Sequence, residues 1–225
     1  MAAGGEPRFY NRRMRAWLLI ACLSWVAAAA AQTPADRLFE AIEEGKPLVA
    51  EGIVARGQVD LEARNKDGET ALHVAIEKGM KELTAMLVKA GARVNARNGN
   101  SETPLHAAAL HEDSYYAELL LETKADPNLR NDDGETPLHW AVLSGNAATA
   151  RQMLERGADP KVKDLKGNTM LHFAADGADE NLVNAFLSLG VDPRERNREG
   201  RRALEVARAR GNEAVVKLLE RFEKD

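Results

Sequence analysis

The chain has 225 residues, 44% of them hydrophobic, and it carries 31 Lys or Arg against 35 Asp or Glu, a formal net charge of −4. A chain of this length can bury a sizeable core, and its single cysteine excludes both an internal disulfide and a cysteine-based metal cluster. The negative charge balance disfavours nucleic acid as a general partner.

The first 31 residues have the pattern of a secretory signal peptide. Four arginines (Arg8, Arg12, Arg13 and Arg15) precede an apolar run over residues 16–31, and the polar start Gln32-Thr33-Pro34 follows. A basic segment, an apolar core and small residues before a polar start are typical of such a signal. We expect cleavage after Ala31 and export, to the periplasm in a Gram-negative bacterium and otherwise by secretion. Met14 is an alternative start of the same signal.

Two tethered forms of this N-terminus compete with cleavage. The apolar run has 16 residues, fewer than the ~20 that span a bilayer as a helix, so an uncleaved anchor is the weaker interpretation. Residues 19–22 resemble a lipobox, which would make Cys22 a lipid-modified first residue. Arg12 and Arg13 are adjacent, but the residues after them lack the apolar pair of a twin-arginine signal. A membrane is therefore expected as a contact only if the N-terminus is uncleaved or lipidated.

Residues 32–62 are predicted to form an N-terminal capping repeat. The stretch from Asp36 to Asp60 keeps a two-helix pattern, with Leu38 and Ala41 at the spacing of one helical turn. It lacks the short phrase that recurs in the rest of the chain, and it carries several acidic residues: Glu40, Glu43 and Glu44.

A short phrase then recurs at a fixed interval. It reads ETALHVA, ETPLHAA, ETPLHWA, NTMLHFA and, in a degenerate last copy, RRALEVA. Its leucines are Leu72, Leu105, Leu138, Leu171 and Leu204, each 33 residues after the one before. A fixed period of this length is the signature of a stacked repeat protein, in which function is expected to lie in a surface.

The phrase and its period resemble the ankyrin repeat, and the resemblance covers nearly everything after Pro34. It implies an all-α solenoid of stacked helix-turn-helix units with protruding hairpin loops. Five repeats are predicted over residues 63–225, at about 65–97, 98–130, 131–163, 164–196 and 197–225, the last a C-terminal cap. The resemblance also implies a protein-binding scaffold without enzymatic activity and without a cofactor.

The residues of each copy support this architecture on physical grounds. A threonine precedes the apolar run in four copies (Thr70, Thr103, Thr136 and Thr169), where its hydroxyl can cap a helix start. Pro104 and Pro137 follow at the first helical position, where a missing N–H costs nothing. The alanines one turn later allow neighbouring helices to approach closely: Ala75, Ala108, Ala141, Ala174 and Ala207. Lys124 stands where the other outer helices end in glycine, so we expect a left-handed backbone there.

The histidines of the phrase invite a metal or catalytic interpretation, which their spacing argues against. His73, His106, His139 and His172 recur every 33 residues, and equivalent positions of stacked helices lie ~10 Å apart, too far to share one metal. The resemblance implies that each ties its helix start to a neighbouring loop. His111 lies outside the phrase, and one histidine alone does not make a zinc site.

Two further columns follow the same period. Val74, Ala107, Trp140, Phe173 and Val206 are apolar in all five copies, which favours burial; the alternative is an exposed Trp140 that anchors a partner. Of Tyr115 and Tyr116, one is expected to pack and the other to be exposed.

The second column is basic: Arg64, Arg97, Arg130, Lys163 and Arg196. We expect it to form a ladder of ion pairs with Glu69, Glu102 and Glu135, which would add little stability.

Specificity is expected in the variable loop tips and at the ends of the inner helices. The residues predicted to contact a partner protein are Lys66, Asp67, Glu69, Glu77, Lys78, Asn100, Glu102, Leu110, His111, Asp132, Asp133, Glu135, Leu143, Ser144, Leu165, Lys166 and Arg198. The last repeat is also basic, which would suit an acidic partner or serve only as a solvated cap: Arg198, Arg201, Arg202, Arg208 and Arg210.

The sequence thus predicts an exported, monomeric, non-enzymatic scaffold whose partner is an unidentified protein, with no nucleic acid and no small-molecule substrate. A membrane-tethered scaffold is the alternative, and an enzyme is a remote one. No G-x-S-x-G, P-loop or H-E-x-x-H pattern occurs in the chain.

Overall fold

The computed structural model describes residues 32–177 and 179–222. The predicted signal peptide, with Met14 and Cys22, lies outside the described residues. Within them the chain is helical and contains no strand, which confirms the predicted all-α class.

Twelve α-helices alternate between an inner and an outer layer in this part of the chain. The inner helices are α1 (Pro34–Glu43), α3 (Ala71–Glu77), α5 (Pro104–Leu110), α7 (Pro137–Leu143), α9 (Met170–Asp176) and α11 (Ala203–Arg210). The outer helices are α2 (Pro47–Ala55), α4 (Lys81–Lys89), α6 (Tyr115–Glu122), α8 (Ala147–Glu155), α10 (Glu180–Ser188) and α12 (Glu213–Leu219), followed by a 3-10 turn, Glu220–Phe222. Each inner helix packs on its outer partner and on the next inner helix, as in a solenoid.

The helix starts follow the predicted caps. Thr70, Thr103, Thr136 and Thr169 occupy the N-cap positions of α3, α5, α7 and α9 with extended backbone. In the last repeat Arg202 takes this position, and the Glu205 carboxylate accepts the Arg202 main-chain N–H over 2.7 Å. Glu205 therefore does at α11 what the phrase histidine does elsewhere. Helix α1 is capped by Thr33, whose N–H donates to Asp36 over 2.9 Å.

The core is a single stack of small inner and larger outer side chains. The five phrase alanines, including Ala108 and Ala141, have no exposed surface, which lets successive inner helices approach closely. Leu87, Leu120, Met153 and Phe186 fill the outer layer and are equally buried. Since each repeat buries its apolar surface against its neighbours, no repeat has a core of its own.

Among the described residues, two other than glycine have left-handed backbone. Lys124 has φ +68°, as predicted from Gly91, Gly157 and Gly190 at the equivalent positions. Ser101 has φ +63° and stands where the other tips carry a glycine with positive φ: Gly68, Gly134, Gly167 and Gly200. A side chain with a Cβ is strained in this region.

We expect Lys124→Gly and Ser101→Gly each to raise the free energy of unfolding by roughly 0.5–1 kcal/mol, because glycine relieves this strain. Urea unfolding followed by circular dichroism measures the gain. Lys124→Ala and Ser101→Ala are the controls, since alanine removes the side chain but keeps the strained Cβ. An unchanged or lower midpoint in the glycine variants would contradict the prediction.

Candidate functional site

Two cavities open along the side of the solenoid formed by the inner helices and the loop tips. The first, here called the Trp140 pocket, has a volume of about 380 Å³ and is lined by His73, Glu77, Asn98, Glu102, Thr103, Ala107, Leu110, His111 and Trp140. The second, the Phe173 pocket, measures about 480 Å³, and its lining includes Glu135, Leu143, Asp164, Lys166, Phe173, Asp176, Glu199, Arg201 and Arg210. Each pocket joins a tip to the end of an inner helix.

The predicted contact residues divide between these pockets and the tips. Glu77, Glu102, Leu110 and His111 line the Trp140 pocket, and Glu135, Leu143 and Lys166 line the Phe173 pocket. Exposed tip residues outside both linings are Lys66, Asp67, Asn100, Asp132, Asp133, Leu165 and Arg198, and Glu69 is half-buried among them. Lys78 and Ser144 are exposed at the ends of α3 and α7. The structure therefore places these residues along one side of the solenoid.

Main-chain hydrogen bonds join each tip to the next. The N–H groups of Gly99, Asp132, Leu165 and Arg198 donate to the carbonyls of Asp67, Asn100, Asp133 and Lys166, over 2.8–3.1 Å. The tip backbones are thereby fixed relative to one another, while the tip side chains stay free to meet a partner.

The predicted ladder of arginine–glutamate ion pairs is wrong. Arg64, Arg97 and Arg130 each donate to two main-chain carbonyls, one four residues later and one 33 residues later in the next repeat. Arg196 donates to the Gly200 carbonyl over 2.6 Å, and Lys163 pairs with Glu195. The fork of a guanidinium can satisfy two such carbonyls at once.

The glutamates expected to complete that ladder bind other groups. The Glu69 and Glu102 carboxylates accept from the side-chain amides of Asn65 and Asn98, over 2.8 and 2.7 Å. Glu135 Oε2 accepts from the indole N–H of Trp140 over 2.7 Å. The arginines therefore join successive tips, whereas these glutamates form hydrogen bonds within their own repeat.

The apolar column is buried only in part. Val74 and Phe173 are buried, as predicted, whereas Ala107, Trp140 and Val206 are half-buried. Trp140 is held on one side by Glu135 and on another by the edge of the His106 ring, with 5.3 Å between ring centroids. Its remaining surface lines the Trp140 pocket. The tips do not cover the column fully, which the 33-residue pattern alone does not show.

Tyr115 and Tyr116 differ in burial. Tyr116 is buried, as expected for one of the pair. Tyr115 is half-buried rather than exposed, with the Lys81 ammonium 5.3 Å from its ring centroid. The ring of His111 packs on Tyr116 with 4.5 Å between centroids, and its Nδ1 accepts from the Asp113 N–H over 3.3 Å. His111 is thus held in place at the wall of the Trp140 pocket.

The four phrase histidines are buried and hold the helix starts. The N–H of each capping threonine donates to Nδ1 of the histidine three residues later, over 2.9–3.2 Å. Because Nδ1 accepts, the proton lies on Nε2. In His73, His106 and His172 this Nε2 donates to a carbonyl of the following repeat, over 2.9–3.2 Å. The predicted tie to a neighbouring loop is therefore confirmed at three positions.

His139 differs, since its buried Nε2 has no hydrogen-bond partner among the described residues. Burial lowers the pKa of His106 and of His139 to about 4, and it also lowers the pKa of His73 and His172. All four imidazoles are consequently neutral at pH 7.

The Glu77 carboxyl at the Trp140 pocket has an unusual pKa. Partial burial raises its pKa to about 7, and the neighbouring carboxylates of Glu69 and Glu102 contribute to the rise, while Lys78 opposes it. The raised pKa means that the folded chain resists ionisation of Glu77. The pocket is therefore more negative at pH 8 than at pH 6.

We expect Glu77→Gln to raise stability at pH 8 and to leave it nearly unchanged at pH 5. The folded pKa of about 7 exceeds the ordinary value of 4.5, so wild-type stability falls as pH rises between these values, and the neutral amide avoids that loss. Urea midpoints of both proteins at pH 5 and pH 8 measure the effect. Glu118→Gln, at an exposed site of α6, is the control, and equal midpoints for Glu77→Gln and wild type at pH 8 would contradict the prediction.

No group of three or more His, Cys, Asp or Glu side chains in this part of the chain is arranged to hold a metal ion. Residues 32–177 and 179–222 also contain no helix with the length and apolar character needed to cross a membrane.

Comparison with known proteins agrees with the geometry. A family model described as ankyrin repeats matches three overlapping segments, residues 38–131, 95–164 and 149–225. None of the curated proteins compared with the chain matches it. Ankyrin repeats indicate a protein–protein interaction scaffold, and the family is typically non-enzymatic. Since these matches extend over nearly all of the solenoid, the chain belongs to the ankyrin-repeat family.

Proposed function

We propose that the chain is an exported, monomeric, non-enzymatic scaffold that binds a partner protein through the side formed by its tips and inner-helix ends. The observation that carries this proposal is the exposure of large apolar side chains beside the two pockets. Leu110 is 54% exposed at the Trp140 pocket, and Leu143 is 43% exposed at the Phe173 pocket. Apolar anchors next to concave pockets, within a polar surround, are typical of protein interfaces.

Rigidity supports the same proposal. The tip backbones are joined from repeat to repeat, and arginines add a second set of bonds between the same loops. A surface that is fixed before the partner arrives loses little conformational entropy on binding. Affinity then depends mainly on the side chains that the tips and pockets present.

Affinity capture with matched variants tests the binding proposal. Leu110→Glu with Leu143→Glu places charge beside both pockets, and Leu189→Glu is the control, since Leu189 is 44% exposed at the end of an outer helix. We expect the wild type and the control to retain the same stoichiometric protein from the exported fraction and the double variant to lose it. Equal capture by all three would contradict the proposed surface.

Export is proposed from the sequence of residues 8–31, whose basic segment and apolar run have the order of a signal. The intact mass of the native protein tests it. Loss of residues 1–31 is the expected result. A diacylglyceryl group on Cys22, or an uncut N-terminus, would replace the exported form with the membrane-tethered one.

A further inference from the structure

We propose that the Trp140 pocket receives a basic side chain of the partner, a lysine or arginine next to apolar residues. The inference rests on the proposed function and adds the chemistry of one contact. It is carried by the shape of the pocket, by its two carboxyl groups without a paired cation among the described residues, and by its aromatic wall.

The pocket exists because Ala107 is the smallest member of its column. Val74, Trp140, Phe173 and Val206 occupy the equivalent positions in the other repeats, and all four are larger. Ala107 leaves the space beside Trp140 unfilled, and Leu110 closes one side. The resulting cavity of about 380 Å³ is large enough for one long side chain. Its apolar walls suit the methylene stem of lysine or arginine.

The acidic lining of the pocket favours a side chain that ends in a positively charged group. Glu77 and Glu102 line it, and none of its lining residues is a lysine or an arginine. The nearby cations are engaged elsewhere in the described residues: Lys78 pairs with Glu43 over 3.1 Å, Lys81 pairs with Asp113, and Arg97 donates to two carbonyls. A cation of the partner would thus meet two carboxyl groups that form no ion pair among the described residues, and it would favour their ionised form.

Trp140 supplies the third element. Its indole N–H is bound to Glu135 and its position is fixed against His106, so the ring is oriented before binding. Tryptophan is the aromatic side chain that attracts a cation most strongly. The apolar walls, the two carboxyl groups and the Trp140 ring therefore all favour a basic side chain of the partner over a neutral or acidic one.

The Phe173 pocket shows the contrast. Arg210 pairs with Asp176 through two contacts of 2.5 and 3.0 Å, and Arg201 pairs with Glu199. Two of the carboxylates that line the Phe173 pocket, Asp176 and Glu199, are thus paired with arginines, and Lys166 also lines it, so that pocket carries cations of its own. We assign the preference for a basic group to the Trp140 pocket alone.

Selection from a phage library of random 12-residue peptides tests the assignment. The bait is the full chain with Trp17→Phe and Trp25→Phe, which makes Trp140 the only tryptophan. Selected peptides are expected to be enriched in Lys or Arg beside Leu, Ile, Val or Met, and to change the fluorescence of Trp140 on binding. Replacing the selected arginine by citrulline, a neutral isostere, should weaken binding about tenfold.

Variants of the same bait locate the contact. Ala107→Leu occupies the part of the cavity beside Trp140, and Glu77→Gln with Glu102→Gln removes the charge of the pocket. Each change should weaken peptide binding about tenfold or more. Glu118→Gln, on an outer helix, should bind as the parent does. Circular dichroism and urea midpoints confirm that each variant is folded.

Three results would overturn the inference: peptides without basic enrichment, equal binding of citrulline peptides, or unchanged binding by Ala107→Leu. Failure to select any peptide would count against it as well. Each of these results leaves the scaffold proposal standing if Leu110→Glu with Leu143→Glu still abolishes capture of the partner. Retained capture by that double variant would instead contradict the proposed binding surface.

Discussion

We expect the protein to lose roughly 3 kcal/mol of stability for each of His106 and His139 when the pH falls from 6.5 to 4. Both side chains are fully buried, and burial lowers the pKa of each to about 4 from an ordinary value of 6.5. In this range the unfolded chain binds protons that the folded chain does not. The histidine contribution is therefore complete above pH 6.5 and is lost as the pH falls toward 4.

Urea unfolding of wild type and His106→Gln at pH 7.5, 6.5, 5.5 and 4.5 measures this effect. Glutamine three residues after a capping threonine can still accept the threonine N–H, but it does not titrate. We expect His106→Gln to be less stable at pH 7.5, because its bond to the next loop is disturbed, and to lose about 2–3 kcal/mol less than wild type by pH 4.5. Parallel curves for the two proteins would contradict the assignment.

The last repeat shows the alternative to a histidine cap. At α11 the Arg202 side chain, by its hydrogen bonds and charge, lowers the pKa of Glu205 to about 2. This carboxylate stays ionised down to pH 4, so its bond to the helix start persists where the histidines weaken the other repeats. We therefore expect the acid-induced loss of structure to begin in repeats that contain a histidine cap.

Ala108→Leu is expected to cost about 2–3 kcal/mol, whereas Ala107→Leu should change stability by less than about 0.5 kcal/mol. Ala108 is fully buried where successive inner helices meet, so added methyl groups force those helices apart. Ala107 is half-buried and borders the Trp140 pocket, which has room for the same atoms. The two substitutions are identical in chemistry and adjacent in sequence.

Urea midpoints for both variants, with Ala141→Leu as a second buried site, check this contrast. A large loss in Ala107→Leu would mean that the Trp140 pocket is filled in solution and would also disqualify that variant as a binding test. A small loss in Ala108→Leu would mean that the inner helices are less closely packed than the structure describes.

Much of the fold could be predicted because its signals are local and repeated. A capping threonine, a proline at the first helical position and an alanine one turn later act within a few residues, and the 33-residue period places them in a stack. Lys124 was predictable for the same reason, since its counterparts are glycines. Ser101 stands in an equally clear glycine column and was missed, although the same comparison would have found it.

The site was predicted less well because its contacts cross between repeats. Arg97 donates to the main-chain carbonyl of Arg130 rather than to a carboxylate, because the backbones of successive tips bring that carbonyl beside it. The half-burial of Trp140 depends on Ala107, one repeat away, and on how far the tips extend over the column. The period gives the identity of such neighbours but not their distances, and charge alone suggested ion pairs that do not form.

The bonds made by Arg64, Arg97 and Arg130 end on main-chain oxygens, which every residue possesses. The same holds for the hydrogen bonds between successive tips. Substitutions at Asp67, Asn100 or other tip positions can therefore accumulate over generations without loosening the frame. If the partner binds the tips as we propose, its identity can change through substitutions there while the frame of the solenoid stays the same.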